Sequence, residues 1–262
     1  MAVRRGPWPP GTPCWVDLST ADVAASCDFY GAVVGWSFTD PFEEYGGYVN
    51  ASSGGEVAAG IGPTMGPDQP TAWTVYFAVT DDEATAAAIT GAGGTVLGGP
   101  FDVGPLGRMT WAADPAGARF GLWQAGVHHG SALYNAPGGL SWEDGWVSDL
   151  QQARDFYAAV FGFTYTALPG MDDYVLFATD GGELGALGAT DGPPHWAAYF
   201  GVEDVDAAVA AAVARGATVL HPVDDTPFGR LAELVDPLGA GFKLSQASAA
   251  TAPAGTAPAG AG

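Results

Sequence analysis

The chain has 262 residues, 48% of them apolar, enough for two modest domains each with its own core. Eight lysines and arginines stand against 29 aspartates and glutamates, a formal charge of −21, and a field of that sign argues against nucleic-acid binding. No apolar run approaches a membrane span, no apolar h-region follows Arg4 and Arg5, and Cys14 and Cys27 make no disulfide framework, so the expectation is a soluble, cytoplasmic protein.

In chain order, the Pro- and Gly-rich residues 1–11 are predicted to be disordered. A strand at Cys14–Leu18 leads into a helix with Asp22 as N-cap and Gly35 as stop. Two or three strands fill Trp36–Ile61, with Gly46-Gly47 and Gly54-Gly55 as turns. A second unit restarts with a strand at Ala72–Val79 and a helix over Asp82–Thr90, then strands at Thr95–Leu97, Arg108–Ala112 and Arg119–Gln124. Each unit thus reads β-α-β-β-β.

The second half repeats the first. Trp15, Asp17, Asp22, Phe29-Tyr30 and Gly35 match Trp142, Asp144, Asp149, Phe156-Tyr157 and Gly162 at an offset of 127. Trp73, Phe77, Gly93 and Thr95 match Trp196, Phe200, Gly216 and Thr218 at 123, and Gly107-Arg108 and Asp114-Pro115 match Gly229-Arg230 and Asp236-Pro237 at 122. The expected organisation is a first domain over 12–125, a linker over 126–137, a second domain over 138–247 and a disordered Ala/Pro/Gly tail over 248–262. A monomer is expected.

The strand–Asp–helix that ends FYGAVVGW or FYAAVFGF, with the later GR…DPxG and final strand, resembles the vicinal oxygen chelate superfamily of glyoxalases, bleomycin-resistance proteins and extradiol dioxygenases. It is most similar to two-domain actinobacterial members called glyoxalase-like or hydroxylase. The resemblance implies an α+β fold: four βαβββ units forming two similar domains with curled mixed sheets. It also implies two clefts, expected here from units one and four and from units two and three.

The family holds a metal on the first and last strands of its units. Counting to those slots gives Trp15, Trp142, Gly121 and Lys243, with Thr74, Ala197, Ala59 and Ala186 in the rest. Indoles and methyl groups are no ordinary ligands, and an ammonium repels a cation. The expectation is therefore no metal and no cofactor. Residues two away on a strand share a face. One cleft is then expected to hold Trp15, Asp17, His195, Tyr199 and Lys243, and the other Trp142, Asp144, Tyr76, Arg119 and Trp123. Aromatic walls with a few ionisable groups suit an aromatic or polycyclic small molecule. One reading is a binding protein for a secondary metabolite or drug, serving sequestration or biosynthesis. Another is a metal-free lyase, isomerase or hydroxylase-like enzyme with Asp17 or Asp144 as general base. A metal-dependent glyoxalase or dioxygenase is disfavoured by the slots.

Overall fold

The computed structural model describes residues 2–66, 69–180 and 182–246. The expected tail from 248 lies outside the described residues. After a short strand β1 (Ala2–Val3), unit one comprises β2 (Pro13–Thr20), α1 (Val23–Val33), β3 (Ser37–Phe38), β4 (Val49–Ser53) and β5 (Glu56–Pro63). Unit two comprises β6 (Ala72–Ala78), α2 (Asp82–Gly91), β7 (Thr95–Asp102), β8 (Gly107–Ala113) and β9 (Arg119–Ala125). Strand β10 (Leu133–Tyr134) precedes unit three, β11 (Leu140–Val147), α3 (Leu150–Phe161), β12 (Thr164–Leu168), β13 (Met171–Thr179) and β14 (Gly182–Ala189). Unit four is β15 (His195–Gly201), α4 (Val205–Ala214), β16 (Thr218–Thr226), β17 (Gly229–Val235) and β18 (Gly241–Gln246). The β-α-β-β-β order therefore occurs four times.

Every helix starts the same way. Asp22, Asp81, Asp149 and Asp204 each accept a hydrogen bond from the backbone N–H three residues on, which satisfies one of the donors a helix start leaves orphaned. Strand β7 runs further than its sequence suggested, through Gly98-Gly99-Pro100. An edge strand with bulges at that point tolerates the missing N–H of a proline.

The sheets correct the expected partnership of units. Strand β2 pairs with β5 in parallel and with β6 antiparallel, so units one and two share one sheet in the order β3-β4-β5-β2-β6-β9-β8-β7. Units three and four form the matching sheet, β12-β13-β14-β11-β15-β18-β17-β16. Each sheet thus lies within one half of the chain, where consecutive units are joined by short connections. Units one and four, and two and three, do meet, but back to back: α1 packs on α4 and α2 on α3.

The repeated FY and DPxG motifs build that joint. Tyr30 donates to Asp236 Oδ2 at 3.0 Å and accepts from Trp73 Nε1 at 2.8 Å. Tyr157 does the same with Asp114 at 3.1 Å and Trp196 at 2.8 Å. Around these bonds one apolar core, with Phe77, Phe120, Phe200 and Phe242 fully buried, runs through both halves.

The N-terminal segment departs from the disorder expected of residues 1–11. Strand β1 pairs antiparallel with β10, and Trp8 Nε1 donates to Ser131 O at 3.1 Å. The segment 126–137, expected as a plain linker, carries β10 and bonds both sheets: Ser131 N–H donates to Cys14 O at 2.7 Å, and Tyr134 pairs with Leu140 of β11. Among the described residues no helix is long and apolar enough to cross a membrane.

Candidate functional site

In the second domain, alternation along β11 puts Trp142, Asp144 and Trp146 on one face of the sheet. Register sets Tyr199 of β15 opposite Trp142, and Lys243 of β18 beside Tyr199. These side chains converge on one carboxylate. Asp144, 1% exposed, accepts from the Tyr199 hydroxyl, from the Tyr174 hydroxyl at 2.8 Å and from Trp142 Nε1 at 2.8 Å. Lys243 Nζ donates to Tyr199 Oη at 3.0 Å and lies 3.7 Å from Asp144 and 3.8 Å from Glu233. It also sits over the rings of Trp146 and Tyr199, 4.8 and 4.9 Å from their centroids. Burial raises the Asp144 carboxyl above its ordinary value, against the opposing pull of the Lys243 ammonium and the three donors. Trp142, Trp146, Tyr174 and Glu233 are only half-buried, so the cluster presents aromatic faces and polar atoms outward.

The first domain carries the same Trp-Asp-Tyr-Tyr set but closes it. Trp15, Tyr76 and Trp123 are 3, 2 and 6% exposed and pack as one aromatic cluster. Tyr48 donates to Asp17 at 3.4 Å and accepts from Trp15 Nε1 at 3.2 Å, while Trp111 Nε1 donates to Tyr76 Oη at 2.9 Å. Two glycines permit this filling. A Cβ on Gly121 would lie 2.1 Å from the Tyr76 ring, and one on Gly60 would lie 1.8 Å from Tyr48 Oη. Where the second domain has Lys243, the first has Gly121 with a tyrosine ring lying over it. His128 then covers the rings, its own ring edge-on to Trp15 at 4.5 Å and its carbonyl accepting from Trp123 Nε1 at 2.8 Å. Asp17 is itself half-buried, and desolvation beneath the aromatic cluster pushes it up to about 7, moderated by hydrogen bonds from Tyr76 and Tyr48. Burial and then neighbouring His129 lower His128 to about 4.

The expected site residues are therefore regrouped by domain. Tyr76 and Trp123 join Trp15 and Asp17, whereas Tyr199 and Lys243 join Trp142 and Asp144, because each pair of consecutive units shares a sheet. Two expected members make no hydrogen bond or ion pair to either cluster among the described residues, although His195 stands opposite Trp146 across β11 and β15. His195 is exposed, with Nδ1 2.9 Å from Pro193 O, and Arg119 is exposed at the start of β9. Tyr48, Trp111, His128, Trp146, Tyr174 and Glu233 were not singled out from the sequence. One signal could have found two of them, since Tyr48-Val49 recurs as Tyr174-Val175 in the same place in each half.

The family resemblance implies a metal, and the residues do not fit one. The first cluster offers a single carboxylate among phenols and indoles, and the second places an ammonium 3.7 Å from its carboxylate. No group of three or more His, Cys, Asp or Glu side chains suited to a metal ion occurs among the described residues.

The sequence profile of the Glyoxalase/Bleomycin resistance protein/Dioxygenase superfamily matches residues 14–122 and 145–244. The chain is 42% identical over 261 residues to the anthracycline biosynthesis protein DnrV of Streptomyces peucetius, spanning 90% of this chain and 93% of that one. It is 39% identical over 253 residues to the putative glyoxylase CFP32 of Mycobacterium bovis, spanning 92% and 97%. Among solved structures it resembles a Mn(II)-bound glyoxalase from Novosphingobium aromaticivorans, with TM-score 0.65, 17% identity and 90% and 82% of the two chains covered. The 2,3-dioxygenase LapB from Pseudomonas sp. KL28 gives TM-score 0.63, 15% identity and 90% and 92% coverage. Those two likenesses speak for the fold alone. The chain belongs to the glyoxalase, bleomycin-resistance and dioxygenase superfamily, with one copy of the domain in each half.

Proposed function

We propose that the second domain's cleft binds a planar aromatic small molecule of secondary metabolism without a resident metal, serving its biosynthesis or sequestration. The Asp144–Tyr199–Lys243 cluster carries this reading. Lys243 sits where the family pattern expects a metal ligand, and it supplies a fixed positive charge in place of one. An ammonium beside two phenols and a carboxylate suits the phenolic or carbonyl oxygens of a fused-ring ligand, and Trp142 and Trp146 offer faces for its rings. The 42% identical relative named for anthracycline biosynthesis supports an aromatic polyketide-like ligand class. The first domain's cluster, closed by Tyr76, Tyr48 and His128, serves as packing.

A second reading, metal-free proton transfer, is favoured by Asp17, which burial holds at about 7, a value suited to a general base at neutral pH. The two readings separate in one experiment. Incubate the protein with 1,4-dihydroxyanthraquinone, follow tryptophan fluorescence and recover the ligand for mass spectrometry. Quenching with the ligand recovered unchanged supports binding, and a new product that is lost in Asp17→Asn or Asp144→Asn supports the enzyme. Neither quenching nor product sinks both readings for this ligand class.

A further inference from the structure

Between the two halves lies a cavity of about 300 Å³, the lower end of ligand-pocket volumes. Trp8 and Thr12 line it from the N-terminal segment, Cys14 from β2, Tyr134 from β10, and Trp142 and Glu143 from β11. Trp142 is shared with the cluster described above, but alternation puts the Glu143 side chain on the face of β11 opposite Asp144, and Asp144, Tyr199 and Lys243 do not line the cavity. The corresponding residue in the first half, at the offset of 127, is Val16, fully buried in the core. An apolar core position has thus become a carboxyl. Glu143 is 6% exposed and lines the cavity, with no hydrogen bond or ion pair to its carboxyl among the described residues. Its carboxyl is not sealed in the packing but lines the cavity, where a partner would have to come from whatever occupies it.

We propose that this cavity is a second binding site, for a small aromatic amine, whose ammonium takes Glu143 as counterion and whose ring lies against Trp8 and Tyr134. The two rings already meet edge to face at 4.9 Å and form an aromatic corner. The volume suits one or two rings. The charges around the carboxyl leave the counterion role open. Asp144 on the same strand and Glu183 in the lining are acidic, and the Cys14 thiol is kept neutral by burial and by Glu143 itself. Arg4 also lines the cavity, but its guanidinium donates to Pro7 O at 2.7 Å and lies over the Trp8 ring at 4.9 Å. Burial, and then Asp144, push Glu143 up to about 8. Below that pH an incoming ammonium must displace a proton from the carboxyl, so affinity rises with pH.

The proposal stands apart from the cleft reading and is tested without it. Titrate the full chain with 2-phenylethylamine by calorimetry from pH 6 to 9, with 2-phenylethanol as the uncharged comparison. The amine should bind about tenfold more tightly per pH unit up to about pH 8 and level off above, with about one proton released at pH 6. Binding at pH 8 should fall at least tenfold in Glu143→Gln. Affinity that is flat from pH 6 to 8, or 2-phenylethanol binding as tightly as the amine, overturns the proposal. Should Glu143→Gln fail to fold, the pH series on the unmodified chain decides alone.

Discussion

Asp17 and Asp144 are the same residue of one repeat in two environments, and their differences are set by what stands two strands away. Asp17 faces phenols and indoles only, so desolvation dominates and its carboxyl rises to about 7. Asp144 has Lys243 within 3.7 Å, and that ammonium opposes the same desolvation. The linkage sign for Asp17 follows from a folded pKa above the unfolded one. The native state holds its proton more tightly, so this group's contribution is full below about pH 4 and is lost as pH rises toward 7. Asp17→Asn should therefore be more stable than the unmodified chain at pH 8, by about 1–3 kcal/mol, and about equal to it at pH 4, as read from urea unfolding. Equal stability differences at both pH values would mean that Asp17 is solvated. Lys243→Met should do the opposite at pH 7, because it strands Asp144, and cost about 2–4 kcal/mol. That loss should shrink as pH falls and Asp144 protonates.

At the scale of elements, the motifs that most clearly marked the repeat turned out to hold the halves together. Phe29-Tyr30 and the Asp of DPLG are far apart in sequence, and spacing alone gave no reason to join them. In the structure Tyr30 bonds Asp236 and Tyr157 bonds Asp114 across the joint. The four β-α-β-β-β units and the Asp22 cap were legible, since each depends on local pattern, whereas β1, β10 and the full length of β7 were not. So were Trp15, Trp142, Asp17 and Asp144, because they are repeated on a strand of known phase. Which first strand faces which last strand was not legible, because it depends on hydrogen-bonding register between units, and so Tyr76, Tyr199 and Lys243 were grouped with the wrong aspartates. Tyr30→Phe and Tyr157→Phe test the joint. Each leaves a buried carboxylate oxygen and an indole N–H short of a partner and should cost about 1–3 kcal/mol. Because the two bonds lie in different unit pairs, the double change should be additive to within about 0.5 kcal/mol in denaturant unfolding. A change below about 0.3 kcal/mol in either would remove the joint from the account.

For the whole molecule, the shared core predicts one cooperative unit rather than two beads. Helices from both halves bury their apolar sides in a single cluster that includes Trp36, Trp73, Phe200 and Phe242. Calorimetric unfolding should give one transition whose van't Hoff and calorimetric enthalpies agree, and two resolved transitions would contradict it. Within that unit the two halves differ in the residues of their aromatic clusters while sharing one frame. One cleft is packed with Trp15, Tyr76, Trp111 and Trp123, and the other carries Lys243 and Glu233 beside half-buried tryptophans. The central claim is that this second cleft binds an aromatic ligand through Lys243 and its neighbours with no metal. The direct measurement is a fluorescence titration of chelator-treated protein with 1,4-dihydroxyanthraquinone, repeated for Trp142→Phe and Lys243→Met, each first shown to fold. The account predicts saturable quenching that chelation leaves unchanged, and binding about tenfold weaker or more in at least one variant, a loss of about 1.4 kcal/mol. Binding that requires added manganese, iron or zinc, or that both variants leave intact, would contradict it.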